Sequence, residues 1–108
     1  MVKTYRCIMV FVTVPNKKIA DKIIKQVLTG NLAACVNVSK SVDSFYWWDE
    51  KIRHSKEFVL MMKTVENKFK ILSETIRNLH PYKVPEIISV NISGGNKDYL
   101  DWIKKYAG

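Results

Sequence analysis

Leu32-Ala33-Ala34-Cys35-Val36-Asn37-Val38 through Phe45, the charged turn Trp48-Asp49-Glu50-Lys51, and then Ile52 through Met61-Met62-Lys63 decide the fold. Both flanks read as extended runs rich in Val, Ile, Phe and Met, and the turn between them reverses the chain, giving a long hairpin. Each arm holds about a dozen residues, well beyond the usual strand of roughly five or six. Such arms overhang a small domain and present an apolar edge, which single soluble chains avoid. The simplest cover is another copy of the same chain.

The hairpin is flanked on both sides by one strand and one helix. Upstream, Tyr5 to Val14 is apolar at both parities, with Cys7, Met9 and Phe11 on one face and Ile8, Val10 and Val12 on the other. Two-sided burial marks a central strand. Pro15-Asn16 opens a helix carrying Ile19, Ala20, Ile23, Ile24, Val27 and Leu28 at helical spacing, and Gly30 is its stop. Downstream, Thr64 is positioned to cap a second helix with Val65, Phe69, Leu72, Ile76 and Leu79 on its buried face. A proline-braced connector, His80-Pro81-Tyr82-Lys83-Val84-Pro85-Glu86, then delivers the chain into a fourth strand, Glu86 to Ile92. Gly94-Gly95-Asn96 caps a last helix bearing Tyr99, Leu100, Trp102, Ile103 and Tyr106. The order is β-α-β-β-α-β plus a C-terminal helix: an α+β, ferredoxin-like sandwich with helices on one sheet face.

Length and composition bound what such a chain does. With 108 residues it is one domain, residues 1–108, holding a single core. Its 47% apolar and 26% charged residues are ordinary globular values. No apolar run reaches the roughly 20 residues needed to span a bilayer. Met1-Val2-Lys3-Thr4-Tyr5-Arg6 leads into the first strand without a small-residue cleavage site, so a cytoplasmic location is expected. Cys7 and Cys35 are too few for a disulfide framework. The net charge of +8 comes from lysines spread over helix faces and interspersed with acids, a pattern of solvated surfaces rather than a nucleic-acid patch.

Asn31-Leu32-Ala33-Ala34-Cys35-Val36-Asn37, Tyr46-Trp47-Trp48 with Lys51-Ile52, Lys63-Thr64, His80-Pro81-Tyr82, Val84-Pro85-Glu86 and Asp98-Tyr99-Leu100 with Trp102 together resemble the CutA divalent-cation tolerance proteins. The resemblance runs from about Val10 to the C-terminus. It implies a tight homotrimer, similar in architecture to the PII signalling proteins, with the long hairpins paired across subunits. It implies a role in tolerance to copper and other divalent cations, with no catalytic activity and no metal required for folding. An unidentified protein partner belongs to the same expectation, and eukaryotic relatives have been connected with acetylcholinesterase assembly.

Three sets of residues are candidates for function. For a copper ion, imidazole nitrogen and thiolate sulfur are the preferred donors, which points to His80 and Cys35. Some bacterial relatives carry a Cys before the strand-ending proline and two histidines before the Pro-Tyr. Val14 and Leu79 stand there in this chain, so His80 alone remains of that pattern. The alternatives are a buried structural thiol at Cys35 and a hydrogen-bonded His80 bracing the connector. For a small anion, Lys63 at the end of a strand before a helix N-terminus, together with Tyr82, Lys83 and Glu86 of the connector, would form a PII-like sensor pocket. The alternative is a Lys63 that pairs with Glu86 or another carboxylate. Tyr46, Trp47 and Trp48 at the hairpin tip are read as anchors of an intersubunit contact, where large aromatics concentrate. Base stacking by these aromatics is disfavoured, because Lys56-Glu57-Phe58-Val59-Leu60-Met61-Met62 lacks the glycine and second aromatic of the RNA-recognition signature. No nucleophile elbow or phosphate loop is present, and the loop Val14-Pro15-Asn16-Lys17 lacks the Arg that acylphosphatases of this topology use. A protein-interaction scaffold is the remaining reading.

Overall fold

The computed structural model describes residues 5–108; the first four residues of the Met1–Arg6 stretch, read above for a cleavage site, lie outside them. Strand β1 (Cys7–Val14) leads into helix α1 (Lys17–Thr29), then β2 (Cys35–Val38), β3 (Val42–Trp48), β4 (Lys51–Val65), α2 (Phe69–Leu79), β5 (Ile87–Asn91) and α3 (Lys97–Ala107). The sheet runs β2-β4-β1-β5, with β3 paired to the outer half of β4. All pairings are antiparallel, and β1 is central as its two-sided apolar pattern requires. Taking β2 and β3 as one arm, this is the ferredoxin-like α+β plan.

The second arm is not one strand. Val38 faces Leu60 while Val42 faces Glu57, so Ser39, Lys40 and Ser41 oppose only Phe58 and Val59. That extra residue is a β-bulge, a device that bends and twists a long arm. Ser39 makes it tolerable. Its backbone N–H donates to Val59 O at 3.0 Å, and its hydroxyl accepts the Val59 N–H at 2.9 Å in place of a missing ladder bond. Beyond the bulge, β3 and β4 extend past the end of β1, whose last residue pairs with Phe58. They close through Asp49 and Glu50, both left-handed, at φ 51° and 60°. The overhang stretches the molecule to 51 × 26 × 24 Å.

Helices α1 and α2 pack Ala20, Ile23, Val27, Leu72 and Ile76 against Ile8, Val10, Val12, Val14, Leu60 and Met62. The opposite face carries Met9, Phe11, Met61, Ile88 and Val90 by register, with Cys35, Asn37 and Lys63 at its edge. The expectation that helices cover one face needs correcting. Helix α3 crosses to this second face, where Ile103 and Leu100 close over Cys7 and Val65. It covers only one end: Ile88 is still 52% exposed and Val90 48%.

One helix end keeps the stop read from sequence by a different device, and another differs. Gly30 follows α1 with an ordinary φ of −84°, and the left-handed residue is Asn31, at φ 55°. The Asn31 N–H reaches Leu28 O and the Leu32 N–H reaches Val27 O, the paired bonds of a Schellman stop. Thr64 caps no helix, because Ile8 and Cys7 of the central strand pair with Thr64 and Val65 and carry β4 two residues past Lys63. Val65 therefore belongs to the core under α3 rather than to α2. Thr64 is fully buried, and its hydroxyl donates to Leu32 O at 2.7 Å. Thr64→Val preserves the shape but leaves that carbonyl unpaired. Urea unfolding should show a loss of roughly 1–3 kcal/mol, with native helix content by circular dichroism; reduced helicity in the folded state would revive the capping role.

Candidate functional site

The connector after α2 builds the site. His80 is extended (φ −85°, ψ 133°), as the residue before a proline should be, and this turns its ring beneath the end of β1. The ring is 8% exposed. Nε2–H donates to the Thr13 carbonyl at 2.7 Å, and Nδ1 accepts the Tyr82 N–H at 3.1 Å. A carbonyl only accepts and a backbone amide only donates, so these partners fix the neutral Nε2–H tautomer. His80 is the brace of the connector, with its ring 4.8 Å from that of Tyr82.

Tyr82 points from this brace into a cleft of about 850 Å³ between connector and hairpin. Its hydroxyl donates to Glu57 Oε2 at 2.9 Å. Burial, then the hydrogen bond and charge of Glu57, push the phenol far above its usual range, so it stays a donor. Glu57 is the first β4 residue beyond the end of β1 and is only 6% exposed. On the hairpin, Glu57, Ser55 and Arg53 oppose Val42, Ser44 and Tyr46, and Trp48 follows on the same face. Tyr46 is tied to Ser55 through their hydroxyls, and Arg53 Nε donates to Trp48 O at 3.3 Å. Lys83, Val84 and Glu86 complete the connector wall.

Lys63 lies elsewhere. It pairs with Met9, whereas Thr13, above His80, pairs with Val59; four strand residues place them roughly 13 Å apart. The Lys63 ammonium bonds the Asn37 amide oxygen and lies 3.9 Å from Cys35 Sγ. It neither begins a helix nor pairs with Glu86, so the anion pocket built on Lys63 and the connector does not form within the chain. Cys35 is half-buried opposite Lys63, at the edge of the sheet face that α3 partly covers. Tyr99 of α3 reaches it, and the Tyr99 phenol is raised by burial and then by the nearby thiol.

The donors also fail to fit a resident copper centre. Both His80 nitrogens are committed to backbone groups, and Cys35 sits with Lys63 at the other end of the strands. Among the described residues no three His, Cys, Asp or Glu side chains converge to hold an ion. Of the residues singled out from sequence, the structure brings Tyr82, Lys83, Glu86, Tyr46, Trp47 and Trp48 around one cleft. Sequence reasoning missed Glu57 and Arg53. Glu57 had a signal: a single acid at the head of the apolar run Phe58–Met62.

Fold and cleft define a small ferredoxin-like protein with a ligand-sized recess under an overhanging hairpin and no metal cluster among the described residues. The family model of the CutA1 divalent ion tolerance protein matches residues 8–106, and the chain belongs to that family. It is 39% identical over 99 residues to the divalent-cation tolerance protein CutA of Thermus thermophilus, covering 92% of this chain and 96% of that protein. It is 41% identical over 101 residues to the chloroplastic CutA 1 of Oryza sativa, covering 94% of this chain but 57% of the rice protein. The chain thus spans little more than half the length of that plant relative. The crystal structure of CutA1 from Oryza sativa superposes with a TM-score of 0.93 at 39% identity, covering 97% of this chain and 96% of that one. CutA1 from Thermus thermophilus gives 0.92 at 38% identity, covering 94% and 99%.

Replacing His80 tests its assignment. His80→Ala removes two hydrogen bonds and leaves the Thr13 carbonyl without its partner, which should cost roughly 2–3 kcal/mol in denaturant unfolding. Copper uptake measured by calorimetry should not change. A lost copper-binding event in a correctly folded His80→Ala protein would restore the imidazole as a ligand.

Proposed function

We propose that the protein acts in divalent-cation tolerance as a non-catalytic homotrimer in the cytoplasm, signalling to a protein partner through its assembled surface. The unfinished sheet face carries this reading. Phe11, Met61, Ile88 and Val90 share it, and the overhanging hairpin adds Phe45, Trp47 and Ile52, which are 67–71% exposed. Apolar groups concentrated on one face and one protruding arm favour burial against further copies. Family membership along residues 8–106 supports the tolerance role, and the Thermus thermophilus relative bears that role in its name. In this reading copper, or another divalent cation, is what the cell is protected against rather than a cofactor the fold requires. No described helix is long and apolar enough to cross a membrane.

Sedimentation of the pure protein at micromolar concentration should give about three times the chain mass of 12.6 kDa, with or without EDTA. A lysine at Ile88 should drive the species toward monomer and make unfolding lose its concentration dependence. Expressed in a copper-sensitive bacterium, the native chain should raise survival under Cu²⁺ and Ile88→Lys should not. A monomeric native chain would overturn the assembly, and an Ile88→Lys monomer that protects fully would separate tolerance from assembly.

A further inference from the structure

The one charge buried in the cleft is negative. Glu57 is 6% exposed, and its hydrogen-bond partner is the neutral hydroxyl of Tyr82. Among the described residues no Lys, Arg or His forms an ion pair with it; the ion pairs present belong to Asp21, Asp43 and Asp101. A desolvated carboxylate held by a single neutral donor is costly, and such groups are normally met by a cation. The cations that line the cleft do not meet it. Arg53 turns its Nε to the Trp48 carbonyl and stays exposed, and Lys83 is exposed on the connector. Beside the carboxylate stand Tyr82 from the connector and the Tyr46 phenol, held at Ser55 on the same hairpin face, while Trp48 lies six residues along the ribbon, roughly 20 Å away. Tyr46 is 39% exposed and keeps open surface for a guest.

We propose that the cleft between hairpin and connector is a binding site for a small organic ammonium ion, its N–H groups on the Glu57 carboxylate and its carbon skeleton against Tyr46 and Tyr82. The two attractions act together there. The carboxylate supplies charge-assisted hydrogen bonds, and aromatic faces attract a cation most strongly where water is excluded. A bare divalent metal ion suits the site less, because aromatic faces cannot replace its hydration shell and one carboxylate is too few ligands. The proposal does not rest on the tolerance role.

Titration of the full chain with phenethylammonium at neutral pH, followed by tryptophan fluorescence and calorimetry, tests it. Saturable binding is expected, while 3-phenylpropionate, of the same skeleton with an anionic end, should not bind. Glu57→Gln should weaken phenethylammonium at least about tenfold, and Tyr46→Ala should weaken it as well. Phenethyl alcohol, the neutral analogue, should bind at least about tenfold more weakly than phenethylammonium. That comparison on the native chain keeps the test valid even if Glu57→Gln folds poorly, because equal binding of the alcohol would overturn the proposal. Equal binding of the carboxylate, or undiminished binding in Glu57→Gln, would also overturn it. So would no binding in a native oligomer that Glu57→Gln dissociates, since the cation would then be a basic side chain of a second copy.

Discussion

The pairing of β4 is the constraint on which everything else depends. Its 15 residues hydrogen-bond to β1 along the inner half, to β2 along the edge, and to β3 along the overhang. The inner half is paid for by burial, since Leu60, Met62, Thr64 and Val65 are fully enclosed. The outer half has no such support: from Lys51 to Lys56 it is mostly exposed and its ladder has only β3 beside it. A two-stranded ribbon is marginal in water, so its order derives from continuity with the core. That continuity has one weak point, the bulge at Ser39–Ser41, where a serine hydroxyl takes over a backbone bond.

The same pairing explains where the sequence could be read and where it could not. Periodicity located all three helices and the central strand, because their apolar positions are set by burial against one core. It did not locate the break between Val38 and Val42. The residues there are polar yet extended, and a one-residue slip changes which residues face each other without changing composition. Thr64 was misread for a related reason. Its local sequence suits an N-cap, but two further ladder pairs with Ile8 and Cys7 outweigh that preference. Asn31 took the left-handed place that a glycine one residue earlier seemed to offer, because asparagine tolerates that conformation.

The site was legible in its parts rather than in its partnerships. The two prolines marked a rigid connector, and Tyr82, Lys83 and Glu86 do line a cleft with the hairpin aromatics. What no linear pattern held was direction. His80 points inward under β1 instead of outward to a ligand, because its two nitrogens match a carbonyl and an amide already fixed by the strand end and by Pro81. Lys63 lies away from the connector, since β4 continues past it and α2 starts only at Phe69.

Overhang and cleft are one feature seen from two sides. If β4 stopped where β1 stops, at the Val14–Phe58 pair, Glu57 would fall at a strand end and be hydrated. The extension instead sets Glu57 inside a ribbon, and the connector, held by His80, closes over it from below. By register Phe45, Trp47 and Ile52 share one ribbon face, while Tyr46, Trp48 and Glu57 share the other. Period-two alternation therefore divides the side chains of a single hairpin into two sets. Adjacent residues such as Phe45 and Tyr46, or Trp47 and Trp48, therefore face apart on one strand, and a fold that carries its longest strand pair beyond its core exposes two differently composed surfaces on a ribbon only two strands wide.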